Sequence, residues 1–196
     1  MTHAAIVGGG PAGLSAALFL AKNDIEATVF DTDDTWMHMS HLFNYPGIGS
    51  QDGTAFLETL RGQVDSFGAT REQGTEVTGV TSTEGGFTVT GEGEDGEAET
   101  EAEYLILATG ADRELAEDLG CALDEEGVVD VDVTMETSVS DAYATGAMVR
   151  AEEWQAVISA GDGAAAALNI LTKEKGEHFH DFDTPEDAVE TFGTAD

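Results

Sequence analysis

Ala4-Ala5-Ile6-Val7-Gly8-Gly9-Gly10-Pro11-Ala12-Gly13, the amphipathic stretch Leu14 to Asn23, and then Ala27-Thr28-Val29-Phe30 before Asp31 read as strand, glycine turn, helix, strand and acid. Gly8, Gly10 and Gly13 fit the pattern G-x-G-x-x-G. In that pattern the first glycine permits the tight turn, the second lets a diphosphate approach the backbone, and the third lets helix and strand pack closely. A helix opening at Pro11 and Ala12 would direct free N–H groups and the positive end of its dipole at the phosphates. Asp31 follows at close to the spacing of about 20 residues at which an acid accepts from a ribose 2′-OH. The unit therefore reads as a dinucleotide site. The alternative is a strand-helix-strand unit that keeps its glycines for packing alone.

A chain of 196 residues with 41% apolar residues suits one domain of ordinary size. Seven Lys and Arg against 40 Asp and Glu give a formal charge of −33, which repels nucleic acid and anionic membranes. No nucleic-acid or membrane partner is expected. The balance is similar to that of proteins from extreme halophiles, in which molar salt shortens the screening length to about 3 Å and removes most of the self-repulsion. A single cysteine, Cys121, excludes an internal disulfide or dithiol motif, and without a base or His nearby it reads as a small buried hydrophobe. The N-terminus runs straight into a strand with no basic region or leader, so a cytoplasmic location is expected.

Further along, Thr32 to Ser50 reads as a long loop with a turn at Asn44-Tyr45-Pro46-Gly47. A helix is predicted from an Asp52 N-cap to Phe67, with Gly68 as its stop. Ala69 to Glu103 reads as β-rich, with short antiparallel strands around Glu84-Gly85-Gly86. Gly91, Gly93 and Gly96 repeat the glycine spacing, but the surrounding segment is acidic, carries no base and opens no helix; it reads as a hairpin turn. Tyr104 to Ala108 is a buried parallel strand delivering Thr109-Gly110 at its carboxyl end. A short helical piece at Leu115 to Leu123, strands at Gly127 to Val133 and Ala142 to Thr145, and a long helix from about Glu152 to Lys173 follow. Trp154, Val157, Ile158, Ala165, Leu168 and Leu171 are placed facing the sheet, and Gly161 and Gly163 suggest close approach. Thr184 and Pro185 open a short last helix to about Phe192. This gives one domain over 1–175 and an acidic tail over 176–196.

His38 and His41 lie in an irregular loop with no carboxylate at ligand spacing, and His178 and His180 sit among acids in the tail. No metal site is expected. Trp36, Met37 and Met39 could cover a cofactor ring or fill core and dimer contacts. No residue reads as a general base or nucleophile, so no catalytic residue is named.

Together these segments resemble the FAD domain of the thioredoxin reductase-like flavoproteins, which belong to the group with two dinucleotide-binding domains. The resemblance spans roughly residues 3 to 173. It rests on Gly8 to Gly13, Asp31, Asn44 to Gly47, Gln63 with Phe67-Gly68, Ala108 to Ala111, Thr137-Ser138 with Ala144 to Gly146, and Gln155-Ala156 before Ala160 to Gly163. It implies an α/β, Rossmann-like FAD/NAD(P)-binding fold: a parallel sheet with helices and an antiparallel β-meander. It implies FAD as cofactor and, by analogy, a homodimer. Gly8, Gly10, Pro11, Ala12 and Gly13 would hold the diphosphate and Asp31 the adenosine ribose. Thr35, Asn44 and Val77 would lie near the cofactor, Thr109, Gly110 and Gly146 near the diphosphate side, and Gln155 and Ala156 beside the isoalloxazine.

The pattern departs from the family in four places. Between Ala111 and Leu119, where the family inserts an NADPH-binding domain, the chain simply continues, and the redox dithiol belongs to that same insertion. Gly146-Ala147 stands where the family has Gly-Asp, and Asp33-Asp34 where it has glycines. A dithiol thioredoxin reductase is therefore not expected. The resemblance implies an FAD-dependent oxidoreductase fed by diffusible NAD(P)H or by an electron-donor protein such as ferredoxin. The alternative is a non-catalytic FAD- or NAD-binding module serving as a sensor or as a subunit of a larger complex.

Overall fold

A computed structural model describes residues 2–192. β1 (His3–Val7), α1 (Pro11–Lys22) and β2 (Glu26–Asp31) form as the opening sequence dictates. A 3-10 turn at Trp36–Met39 and the two-residue pair β3 (His41–Leu42) and β4 (Gln51–Asp52) organise the loop after β2. α2 (Gly53–Ser66) follows, capped by the Asp52 carboxylate, which accepts from the N–H groups of Thr54 and Ala55. β5 (Thr70–Gln73), β6 (Glu76–Thr83), β7 (Gly86–Gly93), β8 (Gly96–Ala102) and β9 (Tyr104–Leu107) lead to α3 (Glu114–Leu119), β10 (Ala142–Ala144), α4 (Ala156–Lys175) and α5 (Pro185–Phe192).

The main sheet has five strands in the order β10-β9-β1-β2-β5, all parallel. β6, β7 and β8 form a separate three-stranded antiparallel meander, in which Gly93 pairs with Gly96 at the β7–β8 turn. The second glycine motif is thus a hairpin, as its acidity predicts.

Strand alternation divides the core in two. Ala4, Ile6, Tyr104, Ile106 and Tyr143 face a layer built from α1, α2 and α4, including Leu14, Leu20, Leu57, Ile170 and Leu171. Ala5, Val7, Leu105, Leu107, Ala142 and Ala144 face the meander's Phe87 and Val89 together with Ala116 and Cys121. Both sheet faces are covered, which is why β1 and β9 read as unbroken apolar runs. Residues after α4 fold back along α1: Phe179 packs on the first layer, and Lys22 Nζ binds Asp181 at 2.8 Å and also Asp183.

Two secondary-structure expectations fail. Gly127 to Val133 is not a strand; it is turn-rich chain whose one ladder contact is an isolated bridge from Val129 to Leu123. Asp124 captures it by accepting from the N–H groups of Glu126 and Val128, a side chain-to-backbone bond that competes with sheet pairing. The long helix begins at Ala156 and not near Glu152, so Trp154 precedes it, and Trp154 and Val157 are 44% and 37% exposed. The face that α4 buries runs through Asp162, Gly163, Ala166, Ala167, Ile170 and Leu171, which leaves Val157 exposed and Ile158 and Ala165 only partly covered. Residues 193–196 of the acidic tail lie outside the described residues.

Candidate functional site

The sheet order places the exit from β1 between two crossovers running in opposite directions, to β2 on one side and to β9 on the other. Such a switch point opens a crevice at the carboxyl ends of the strands. Here the ends of β1, β2, β9 and β10 deliver Gly8, Asp31, Ala108 to Gly110 and Thr145 to Ala147 to one cleft of about 1020 Å³. That volume lies at the upper end of small-molecule sites.

Every cofactor residue expected from the sequence except Gly13 lines this cleft. Gly13 stays out because its role is packing: a Cβ there would sit 1.9 Å from the Gly8 carbonyl oxygen. Gly8 itself adopts φ +115°, and a Cβ would meet the Ala108 carbonyl at 2.3 Å, so the β1 exit lies directly against the β9 exit. Around Gly10 there is room: the nearest atom to a Cβ would be Thr35 Oγ1 at 3.9 Å. The turn is therefore closed on its protein side and open on its cleft side. The first N–H groups of α1 face that opening without intrahelical partners. An unblocked glycine turn at a helix start fits the diphosphate of a dinucleotide.

The other end of the cleft is bridged twice. Asn44 Nδ2 donates to Gln155 Oε1 at 2.7 Å, and the Trp36 and Trp154 rings meet at 5.1 Å with planes 38° apart. Both contacts join the loop after β2 to the segment entering α4. Trp36 is 51% and Met39 83% exposed, whereas Met37 is core.

The cleft's electrostatics are unusual for a phosphate site. Asp31, Asp34, Asp112, Glu114 and Asp118 line it, and no Lys or Arg does. The basic residues are committed elsewhere. Arg71 pairs with Asp65, Arg150 grips the buried Asp162 carboxylate with two bonds, and Lys173 binds Glu136 and Asp141. Arg113 donates to the carbonyls of Ala111, Ala147 and Met148 at 2.9, 3.1 and 2.9 Å. It ties the turn after β10 to the loop after β9. Sequence reading missed this residue because its partners are backbone carbonyls, which leave no side-chain pattern. It also missed Gln73, Arg61 and the extra glycine Gly9, all of which meet Asp31. A run of three glycines where the motif needs two was the available signal.

Asp31 is buried, with Oδ2 accepting from Gln73 Nε2 at 3.0 Å and Arg61 Nη2 at 3.1 Å, and Oδ1 from the Asp33 N–H at 3.0 Å. Hydrogen bonding from Arg61 holds the Asp33 carboxyl below the usual carboxylate range, with His38 adding to it. His38 has one carboxylate partner, Asp33 at 2.9 Å, whose backbone takes a left-handed conformation (φ +63°). Among the described residues no group of three or more His, Cys, Asp or Glu could hold a metal. Cys121 is buried 3.5 Å from Thr137 Oγ1, and burial pushes its thiol up. No helix among the described residues is long and apolar enough to cross a membrane.

A family model described as pyridine nucleotide-disulphide oxidoreductase matches residues 2–114, from β1 through the Thr109-Gly110 turn to the start of α3. The chain belongs to that family. This oxidoreductase family member is 29% identical over 113 residues to a ferredoxin–NADP reductase of Levilactobacillus brevis, covering 54% of this chain and 34% of that protein. It thus spans about a third of the length of that relative. A solved thioredoxin reductase from Gloeobacter violaceus superimposes with a TM-score of 0.81 at 19% identity, covering 94% of this chain and 100% of that one. A ferredoxin-flavin thioredoxin reductase from Clostridium acetobutylicum gives 0.75 at 17% identity, covering 90% and 100%. At these identities the structural matches establish the fold, that of an FAD domain of thioredoxin reductase-like proteins.

Proposed function

We propose that this family member binds FAD in the cleft and exchanges electrons through it, as a single-domain, thioredoxin reductase-like flavoprotein. One observation carries the reading: the four strand ends converge on a glycine turn that is open only toward a cleft large enough for a dinucleotide. Bound FAD would supply reversible electron uptake at its isoalloxazine ring. The chain's own part is to bind and orient it. Backbone N–H groups at Gly10 and Ala12 would take the diphosphate, since no Lys or Arg lines the cleft. Asp31 would accept from the adenosine ribose. Asn44, Gln155 and Ala156, beside the Trp36–Trp154 pair, would border the flavin and limit water at that end.

Between Ala111 and Leu119 there is only a turn and α3, with no room for a second glycine-rich unit. The donor is accordingly diffusible NAD(P)H or an electron-transfer protein such as ferredoxin. The carboxylates at Asp31, Asp33 and Asp34 disfavour a 2′-phosphate, hence NADP, as the ligand of this cleft.

A second reading, a dinucleotide-binding module without turnover, is favoured by Ala147. It offers no side-chain acceptor, and its carbonyl is already taken by Arg113. A missing anchor bond costs about 1 to 3 kcal/mol of cofactor affinity. Titration of the protein in molar KCl with FAD, FMN, NAD and NADP separates the readings. Visible flavin absorbance that bleaches with dithionite and with NAD(P)H or reduced ferredoxin supports the oxidoreductase. Binding without reduction by any donor supports the module, and a protein that takes up no FAD refutes the first proposal.

A further inference from the structure

Arg61 sits on α2 and does not line the cleft, yet its guanidinium reaches the acid that does. The residue is 9% exposed. Its Nη2 donates both to Asp31 Oδ2 at 3.1 Å and to Asp33, and Nη1 lies 3.8 Å from Glu58. Its Nε is buried with no partner. Taking a guanidinium out of water costs several kcal/mol, and an orphaned buried donor adds to that cost. A chain with seven basic residues has placed one where burial is expensive and one donor goes unused. Stability alone is a poor account of that choice.

The surroundings indicate what the arrangement achieves. Asp31 and Asp33 are two residues apart, and their like charges would drive the carboxylates away from one another. Arg61 bridges them. Gln73 of β5 donates to Asp31 Oδ2, and the Asp33 N–H donates to Oδ1. On the other flank, His38 joins Asp33 to Thr54 of α2 with both contacts at 2.9 Å. Gly9 completes the seat: a Cβ there would lie 2.1 Å from Asp31 Oδ2. An ionised carboxylate offers about four acceptor positions, and three of those of Asp31 are filled by protein donors. Oδ2 takes two of these donors and Oδ1 one, so the remaining position is on Oδ1 of an acid that lines the cleft.

We infer that Arg61 is the positioning residue for the ribose end of the dinucleotide site, fixing the Asp31 carboxylate so that its free acceptor position faces a ribose hydroxyl. This rests on the cofactor reading proposed above. Arg61 touches no ligand; it acts through Asp31 and Asp33. Because Arg61 and Asp31 are both buried, their contact persists in molar salt, where exposed pairs are screened. A lysine at this position would retain the charge but replace the rigid, planar guanidinium, whose Nη2 meets both carboxylates, with a compact ammonium on a flexible stem.

The test compares ADP with 2′-deoxy-ADP by calorimetric titration in molar KCl, using the wild-type chain, Arg61→Gln and Arg61→Lys. The ratio of the two affinities is internal to each protein, so a partly unfolded variant lowers the number of sites without changing the ratio. The wild type is expected to prefer ADP by about tenfold, Arg61→Gln to bind the two nucleotides alike, and Arg61→Lys to fall between them. If Arg61→Gln does not fold, the intermediate ratio of Arg61→Lys carries the same information. An unchanged ratio in the variants, with both affinities lowered together, makes Arg61 merely structural and overturns the inference alone. Equal affinity in the wild type also overturns it. A wild type that binds neither ADP nor FAD removes the cofactor reading itself and this inference with it.

Discussion

At the scale of single residues, space decides more than chemistry. Gly161 and Gly163 both lie in α4 and look alike in sequence, but a Cβ on Gly163 would sit 2.0 Å from the Ala12 carbonyl oxygen, whereas one on Gly161 meets nothing within 4 Å. Gly163→Ala should therefore force α4 off α1 and cost about 1 to 3 kcal/mol. Gly161→Ala should leave stability unchanged or raise it by up to about 1 kcal/mol, because glycine is a poor interior helix residue. Denaturant unfolding in molar KCl checks both. The hydrogen bond from Arg71 holds the Asp65 carboxyl below its ordinary value. A depressed folded value contributes stability above the unfolded one, and that contribution is lost as pH falls through the depressed value. Asp65→Asn should thus be less stable than wild type at neutral pH, by at most about 1 kcal/mol for so exposed a pair. The difference should shrink in thermal melts as pH is taken below the ordinary aspartate value.

At the scale of elements, the periodic helices and the apolar strands were legible in sequence because each obeys one local rule. β1 and β9 are buried on both faces, α2 carries an Asp52 cap, and Thr184 and Pro185 mark the start of α5. The errors arose where a non-local or irregular contact overrides such a rule. Asp124 captures the chain near Val128, and the segment before α4 is occupied by the Trp36–Trp154 contact instead of by a further helical turn. The return of the chain after α4 belongs to the same class, since charge spacing alone could not pair Lys22 with Asp181 and Asp183. Lys22→Met should release that return, seen as faster amide hydrogen exchange over residues 178–184 with little change in the exchange of β1 and β9. Equal protection in wild type and variant would show that Phe179 packing suffices to hold it.

At the scale of the whole molecule, a formal charge of −33 sets the conditions under which the fold persists. Six of the seven cations are engaged in internal ion pairs or carbonyl contacts and Lys175 lies over the Phe179 ring, so most of the described carboxylates have no cationic partner. Screening shrinks from about 10 Å at 0.1 M salt to about 3 Å at 1 M. The melting midpoint should accordingly climb with KCl, with loosening in dilute buffer; a circular-dichroism melt that is the same at both extremes would contradict this. Cofactor affinity should rise in the same direction, since a diphosphate enters a cleft lined by acids. The sequence alone determined the strand-turn-helix-strand unit, the parallel strand at Tyr104 to Leu107, the rejection of the second glycine motif and the acidic character. Periodicity, turn chemistry and charge count are local properties and need no fold to be read. Only the tertiary structure decided that Asp31 is held by Arg61 and Gln73, that Arg113 serves backbone carbonyls, and that Gly9 is a seat for a carboxylate. Those facts depend on elements far apart in sequence meeting within a few ångströms, a distance that no spacing along the chain encodes.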